Sequence, residues 1–524
     1  MYDILIKNGI VVDGTGKPGI KTNVAVKKDK IAKIGSLRLA RGEIEIDAEG
    51  KIVAPGFIDI HNHSDGYWQI FLEPTLPSLL FQGITTIIGG NCGASIAPLA
   101  DIKIIESIQK WMDLKKVNVD WLTMNEFSEK MKMKNWSLNF GTLVGHGTLR
   151  RGIIHDEMRR LDKNEFEEMK KTLEDSLSEG ALGFSVGLAY SHEKKATWDE
   201  LVILAEIVKS ANRVFAVHLR DEASGIISAL QEIMDLAEKT RVNLEISHLK
   251  VMGEQNWPLM DKVLKMIRKA KEAGIEINFD VYPYTQTGSV LYVYLPDWVA
   301  EGGKKMLLRR LKEKHLRARV IEEMRETAQY HYENAVIAAC SFSKSLTKRK
   351  ISEIAAERGI SPEEVIIDLL SASEGRVITL LECLSEDNLR ELIKEPTSII
   401  ATDGAGYSLS HKESGELVHP RSFGTFPRVL GKYVREEKIL SLEEAVKKMT
   451  SLPAQKLRLE NRGVLKKGNF ADITIFDPKI ISDKATIENP YRYSEGVEQV
   501  IVNGQFALRD GKLTGEMNGE FIAG

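Results

Sequence analysis

Two histidines one residue apart carry the first chemical signal in this sequence. His61 and His63 end the apolar run at residues 55–63, which opens with Pro-Gly. In a β-strand, residues i and i+2 point to the same face, about 6.6–6.8 Å apart along the backbone, so both imidazoles could converge on one ion. An isolated pair of this kind is common at an ordinary strand end. Its meaning therefore depends on what the other strands carry.

Other strand-like runs also end at or just before a residue that binds metals. These residues are Cys92, His218, His248 and Asp403. Four imidazoles, one thiol and one carboxylate form a ligand set that is typical of zinc. Each residue alone has an ordinary explanation, such as a small buried cysteine or a plain Asp-Gly turn. The six together favour a metal-dependent hydrolase.

The elements that would position these residues follow an alternating pattern. Candidate strands lie at 56–61, 85–89, 139–144, 182–186, 214–218, 243–247, 276–281 and 397–402. Most are continuous apolar runs, as in parallel strands covered on both faces. Helical patterns separate several of them, at 164–178, 198–211, 226–239 and 260–272. The sequence therefore predicts an α/β fold, a (β/α)8 TIM barrel whose chemistry lies at the C-terminal ends of the strands.

Both ends of the chain have a sequence pattern that differs from that of the middle. Short alternating strands with glycine turns fill residues 1–54 and return after residue 461. We predict one discontinuous β-sandwich domain made from 1–54 and 461–524, around a barrel domain at 55–460. A long segment separates the last two barrel strands, and its basic, helix-rich part predicts a small inserted subdomain at about 285–345 that covers the active site.

Composition excludes several classes of protein. The chain has 524 residues and a formal net charge of −3, which argues against nucleic acid or an anionic membrane as a partner and leaves a small-molecule substrate. Three cysteines make no disulfide framework, and we find no apolar N-terminal segment or membrane span, so a cytoplasmic location is expected. A homo-oligomer remains open.

At this point the sequence resembles the amidohydrolase superfamily and, within it, the N-acyl-D-amino-acid deacylases, or D-aminoacylases. Gly-Asn-Cys-Gly at 90–93, and His-Pro-Arg at 419–421 with Gly-Thr-Phe-Pro-Arg at 424–428, point to the deacylase branch. The histidine pair and the C-terminal run at 461–477 mark the superfamily. Further matching segments lie at 55–66, 83–97, 145–150, 180–190, 218–222, 247–253, 280–284 and 401–407, so the resemblance spans nearly the whole chain.

The resemblance implies a ligand set for zinc. Cys92, His218 and His248 would hold one tightly bound ion. His61, His63 and Asp403 would form a second, weaker position, with Cys92 bridging the two in place of the carboxylated lysine or glutamate of related binuclear enzymes. A thiolate bridge favours zinc over magnesium or manganese. The expectation is one tight site, with a second site left open.

The same resemblance implies roles for residues around the metal. Asp403 would act as general acid and base in cleavage of an amide bond. Arg421 is the natural partner of a free α-carboxylate, because guanidinium binds carboxylate bidentately. The family implies that Lys250 and Tyr284 join it. For His146, at the end of the third strand, we expect a supporting role and not ligation.

Three other functions remain in view. The chain could be a dipeptidase that accepts a C-terminal D-residue, or a cyclic-amide hydrolase related to hydantoinase and dihydroorotase. Cyclic-amide enzymes of this superfamily usually carry a bridging lysine on the fourth strand, and residues 180–188 contain none. A non-enzymatic scaffold would require the loss of metal ligands, whereas all six candidates are present.

Overall fold

The computed structural model describes residues 1–37, 39–101, 104, 117–155, 157–327 and 331–524. The strands in chain order are β1 (Tyr2–Val11), β2 (Ile20–Lys27), β3 (Lys30–Gly35), β4 (Gly42–Asp47), β5 (Ile52–Pro55), β6 (Phe57–Asp59), β7 (Ile84–Gly89), β8 (Asn139–Thr142), β9 (Val144–Gly145), β10 (Gly183–Gly187), β11 (Val214–His218), β12 (Asn243–Ile246), β13 (Ile277–Val281), β14 (Gln286–Val290), β15 (Val336–Cys340), β16 (Val377–Glu382), β17 (Ser398–Ile400), β18 (Ile473–Phe476), β19 (Val497–Val502), β20 (Gln505–Arg509) and β21 (Lys512–Leu513).

The described α-helices are Gln69–Leu72, Pro77–Leu80, Met124–Lys132, His146–Ile154, Lys163–Ser178, Trp198–Ser210, Ile226–Thr240, Met260–Glu272, Asp297–Ala300, Gly303–Lys312, Lys314–Thr327, Ile351–Arg358, Pro362–Ala372, Glu386–Lys394, Arg421–Arg428, Leu442–Met449 and Ser451–Lys456. Short 3-10 helices lie at Glu254–Leu259, Leu291–Tyr294, Tyr332–Asn334, Lys344–Leu346 and Leu409–Ser414, and a π-helix at Val429–Glu436. No helix in the described part of the chain has the length and apolar character that a membrane crossing requires.

The middle of the chain forms a parallel (β/α)8 barrel, as predicted. One run of parallel strands is β6-β7-β8, and another is β9-β10-β11-β12-β13-β17. The two runs join because β8 and β9 are separated by one residue, so they act as a single third strand. The barrel closes between its first and last strands, where the Asp403 amide donates to the His61 carbonyl (2.9 Å) and the His63 amide to that of Gly404 (2.7 Å).

Alternating side chains along the barrel strands fill two different cores. In β11, Val214 and Ala216 pack inside the barrel, whereas Phe215 and Val217 pack outward against the surrounding helices. Every residue of β11 is buried. This burial on both faces explains why the barrel strands are continuous apolar runs and not alternating ones.

Strands from both ends of the chain meet in one nine-stranded sheet. Its order is β21-β20-β19-β18-β5-β1-β2-β3, with β4 paired to β1. The N-terminal strand β5 lies antiparallel to the C-terminal strand β18, and this pair joins the two halves. Ile31 of β3 and Phe506 of β20 share one apolar cluster, so the sheet curls over a core of its own.

The segment between β13 and β17 also has a core of its own. Its three-stranded antiparallel sheet has the order β14-β16-β15. Helices such as Gly303–Lys312 and Pro362–Ala372 pack on that sheet through Leu307, Leu311 and Ile366. The central strand β16 lies beyond residue 345, so the folded insert is longer than the predicted segment 285–345. We call the segment from β14 to β16 the insert.

Candidate metal centre

The barrel brings all six candidate ligands to one end of its strands. His61 and His63 follow β6, Cys92 follows β7, His218 ends β11, His248 follows β12 and Asp403 follows β17. Each is buried, with at most 8% of its surface exposed. Cys92, His248 and Asp403 also have positive φ angles of 54°, 35° and 47°. Such a backbone is costly for residues other than glycine and is concentrated at functional sites.

Cys92 lies between two imidazoles. Its Sγ is 3.4 Å from Nε2 of His61 and 3.4 Å from Nε2 of His248. These three residues form a cluster whose donor atoms all lie within 4.8 Å of one another. A thiol between two ring nitrogens is a ligand set suited to zinc.

A carboxylate lies near the Nδ1 atom of each of these imidazoles. Asp280 Oδ2 lies 3.0 Å from His61 Nδ1, and Glu222 Oε1 lies 3.0 Å from His248 Nδ1. At His61, the carboxylate at Nδ1 fixes the orientation of the ring and leaves Nε2 for a metal. At His248, the Lys250 ammonium also lies 2.7 Å from Nδ1, so this ring nitrogen has two neighbours. Neither Asp280 nor Glu222 was among the predicted site residues. The signal for Glu222 was its position four residues after His218.

Asp403 forms a second cluster with the histidine pair. Its Oδ1 is 3.0 Å from His63 Nε2 and 3.4 Å from His61 Nε2. Burial alone would raise the pKa of Asp403, but Arg421, His61 and His248 hold it well below its ordinary value. The carboxylate is therefore ionised, the form that binds a cation.

His218 belongs to a third cluster, with Glu222 and His248. Its Nε2 is 3.7 Å from Glu222 Oε2, and its ring centre is 4.4 Å from that of His248. His218 Nδ1 is buried and has no hydrogen-bond partner among the described residues. The predicted tight set of Cys92, His218 and His248 is thus divided between two clusters that share His248.

The protonation of the imidazoles differs across the site. Burial lowers the pKa of His218 and of His248 well below the ordinary value, which leaves both rings neutral. Burial alone would also lower the pKa of His61, but the charges of Asp280, Cys92 and Asp403 raise it well above the ordinary value. A concentration of negative charge around His61 is what a bound cation would neutralise.

Arg421 lies beside Asp403 at the start of its helix. The guanidinium Nη1 donates to Asp403 Oδ2 at 2.7 Å and the group lies over the ring of Tyr282, 4.7 Å from its centre. Arg421 Nε is buried and has no hydrogen-bond partner among the described residues. The guanidinium therefore has one N–H donor that no described residue uses.

The other two predicted substrate-binding residues are engaged within the protein. Lys250 Nζ donates to Glu222 Oε1 at 2.7 Å and lies 2.7 Å from His248 Nδ1. The Tyr284 hydroxyl donates to Asp483 Oδ2 at 3.4 Å. Both side chains are buried. In this structure Lys250 contacts a candidate ligand directly, whereas Tyr284 lies deeper, beside His419.

A cavity opens over the candidate ligands. Its volume is about 760 Å³, within the range of about 300–1,000 Å³ that encloses drug-sized ligands. His63, Cys92 and Tyr190 line its barrel side, and Gly288 and Leu307 line its other side, from the insert. The insert therefore forms one wall of the cavity.

His146 is not among the described ligand clusters. Its Nδ1 lies 2.9 Å from Glu193 Oε2 and its Nε2 lies 2.8 Å from Glu200 Oε1. Arg150 Nη1 donates to the same Glu200 oxygen at 2.5 Å. These four buried groups form a charged network below the loop that carries Cys92.

The donor set fits zinc. A thiol, imidazole nitrogens and a carboxylate are ligand types that zinc prefers, and the buried Nδ1 atom of His218 has no hydrogen-bond partner among the described residues. A parallel barrel with such a cluster at the C-terminal ends of its strands defines the class of metal-dependent hydrolases.

Comparison with known proteins identifies the family. The amidohydrolase family matches residues 45–507. The D-aminoacylase of Alcaligenes xylosoxydans xylosoxydans is 31% identical over 522 residues, covering 100% of this chain and 98% of that protein. The N-acyl-D-aspartate deacylase of the same organism is 32% identical over 532 residues, covering 99% and 95%. This chain belongs to the amidohydrolase family.

A solved structure leads to the same conclusion for the fold. The crystal structure of the N-acyl-D-glutamate deacylase of Bordetella bronchiseptica, complexed with zinc and a phosphonate inhibitor, superposes with a TM-score of 0.83 at 29% identity, covering 100% of both chains. The barrel with its additional β domain is therefore the fold of the deacylases.

Proposed function

We propose that this chain hydrolyses the amide bond of N-acyl-D-amino acids in a zinc-dependent reaction, giving a carboxylate and a D-amino acid. The observation that carries the proposal is the buried thiol between His61 and His248 at the floor of the cavity. The chain is similar over its full length to a D-aminoacylase, an N-acyl-D-aspartate deacylase and an N-acyl-D-glutamate deacylase, which supports this substrate class. The fourth barrel strand, Gly183–Gly187, has no bridging lysine, which counts against a cyclic-amide hydrolase.

The zinc ion would be held tightly by Cys92, His218 and His248. His61, His63 and Asp403 would form the second, weaker position. When bound, zinc supplies Lewis acidity, which polarises a carbonyl and makes hydroxide available near neutral pH. The 3.4 Å approaches of Cys92 to both His61 and His248 support a thiolate shared between the two positions.

Asp403 would move the proton. As an ionised carboxylate beside His63, it can accept a proton from the attacking water and deliver it to the departing amine. Arg421 would bind the α-carboxylate; its guanidinium lies 2.7 Å from Asp403 and has an Nε without a partner among the described residues, which supports this role. Lys250 and Tyr284 would complete this carboxylate site, which requires Lys250 to leave or share its contact with Glu222.

A matched substrate panel tests the proposal. Zinc-loaded enzyme is assayed on N-acetyl-D- and N-acetyl-L-amino acids with the same side chains, on L-X-D-Y dipeptides and on a hydantoin. The expected result is turnover of N-acetyl-D-amino acids and little or none of the L series. Preferential turnover of the hydantoin or of the dipeptides would contradict the proposed substrate class, with Asp403→Asn as the inactive control for each substrate.

A further inference from the structure

Glu193 is a buried carboxylate that no step of the proposed reaction uses. It follows β10, is 2% exposed and borders the cavity. Its Oε2 accepts from the Gly187 amide at 2.7 Å and lies 2.9 Å from His146 Nδ1. Burying an ionised carboxylate costs free energy unless the carboxylate is paired and hydrogen-bonded.

The other carboxylate oxygen of Glu193, Oε1, lies close to the backbone of the loop that carries Cys92. A Cβ atom added to Gly93 would lie 2.1 Å from Glu193 Oε1, and one added to Gly147 would lie 2.7 Å from it. No side chain fits at these two positions while the carboxylate is in place. The carboxylate therefore contacts the backbone directly after Cys92.

This loop has a backbone that needs external support. Cys92 has a φ of 54° between Gly90 and Gly93, whose φ angles are 72° and 75°. Asp65 Oδ2 accepts from the Gly90 amide at 2.7 Å, and Ser185 Oγ accepts from the Gly93 amide at 3.0 Å. These contacts hold the two glycines, and Glu193 closes the side that faces β10.

Glu193 is itself held rigidly from behind. His146 connects it to Glu200, and Arg150 pairs with Glu200; each of these three side chains is at most 5% exposed. A carboxylate at the end of a fixed network keeps one position, as the outer partners of metal ligands do.

We propose that Glu193, locked by His146, is a positioning residue that sets the backbone of the Cys92 loop and so aims the thiolate at the metal. The inference rests on the proposed metal site but not on the substrate. It also explains why the chain has glycine at positions 93 and 147.

The test uses full-length protein loaded with cobalt, in which thiolate-to-metal charge transfer absorbs in the near ultraviolet and reports the sulfur–metal bond. In Glu193→Ala we expect this absorption to fall and the metal affinity to drop by about 10- to 100-fold, the usual range for an outer partner. Glu193→Gln keeps the size and an acceptor for Gly187, so it should retain most of both. The matched control is Glu363→Ala, which removes a buried carboxylate of the insert that accepts from Tyr332.

Two results would overturn the inference: a folded Glu193→Ala protein with parent-like absorption and affinity, or a Gln variant that loses as much as Ala. If Glu193→Ala does not fold, Glu193→Asp serves, because it withdraws the carboxylate from Gly93, and parent-like values in that variant would be equally contrary. If the parent itself shows no thiolate absorption, the ligand assignment of the proposed function fails, which is a distinguishable outcome.

Discussion

At the scale of single residues, Cys92 is the soft donor of the candidate metal centre. We expect Cys92→Ala to weaken zinc binding by more than the roughly 10- to 100-fold that follows loss of an outer partner. Cys340→Ala and Cys383→Ala should keep their zinc, because Cys340 lies in β15 of the insert and Cys383 directly follows β16. Metal analysis of the three purified variants decides the assignment. A full complement of zinc in Cys92→Ala would show that the thiol is not a ligand.

Asp403→Asn should fold and retain zinc but lose turnover. Asparagine tolerates the left-handed backbone of this position, where Asp403 has a φ of 47°. The amide cannot accept the proton of the attacking water, so kcat should fall by about 10²- to 10⁴-fold. Steady-state rates and metal content are measured together. A near-parental kcat with normal zinc would assign the proton transfer to another group.

Arg421→Ala should weaken binding of substrates that have a free α-carboxylate. Loss of a charged bidentate partner costs about 2–5 kcal/mol, or roughly 1.5 to 3.5 orders of magnitude in kcat/KM. Arg421→Lys keeps the charge but not the fork, so its loss should be intermediate. An N-acyl-D-amino amide, which lacks the carboxylate, should be a poor substrate for the parent and little affected by the change. Equal losses for acid and amide would make Arg421 a support for Asp403 only.

The candidate ligands could be predicted because each stands at the end of an apolar run. The groups that orient them could not. Asp280 and His61 are 219 residues apart in the sequence. No local sequence pattern at either residue predicts their 3.0 Å contact. Glu193 and His146 likewise meet only because β9 and β10 are neighbours in the barrel. Contacts of this kind depend on the folded topology, which residue types and spacing alone do not supply.

At the scale of elements, strong periodicity gave close predictions. The helix predicted at 260–272 is observed as Met260–Glu272, and that predicted at 164–178 as Lys163–Ser178. Among the short strands predicted within residues 1–54, β1 runs unbroken from Tyr2 to Val11, and its register against β2 shifts between Ile6 and Gly9. Asn8 lies at that shift with a φ of 62°, so a bulge interrupts the sequence pattern without ending the strand.

The helix Lys163–Ser178 offers a test of local stability away from the metal. Asp162 accepts from the amides of Asn164 (2.8 Å) and Glu165 (3.0 Å), and Glu165 accepts from the Asp162 amide in return. Asp162→Ala should lower the free energy of unfolding by about 0.5–2 kcal/mol. Asp175→Ala, at the exposed C-terminal end of the same helix, is the control. Denaturant unfolding compares them, and equal destabilisation would show that the cap contributes nothing specific.

At the scale of the whole molecule, metal binding should be coupled to stability. A ligand that binds the folded state alone stabilises it by about 4.1 kcal/mol at a concentration 1,000-fold above its Kd. We therefore expect the melting temperature to fall after chelation and to recover when zinc is added. Calorimetry of parent and Cys92→Ala protein measures this, and the variant should respond weakly. An unchanged melting temperature in the chelated parent would contradict a structural contribution of the ion.

The place where the barrel closes is also the place where half of the candidate ligands lie. The backbones of His61 and Asp403, and of His63 and Gly404, join the first strand to the last. A cation held by His61, His63 and Asp403 would act as a clasp across the junction between the barrel strand that is synthesised first and the one synthesised last. A chain that stops before β17 can offer a metal the thiol and four imidazoles but not this clasp. Occupancy of this second position, as distinct from the proposed tight site at Cys92, His218 and His248, would then report how many molecules have completed their barrel.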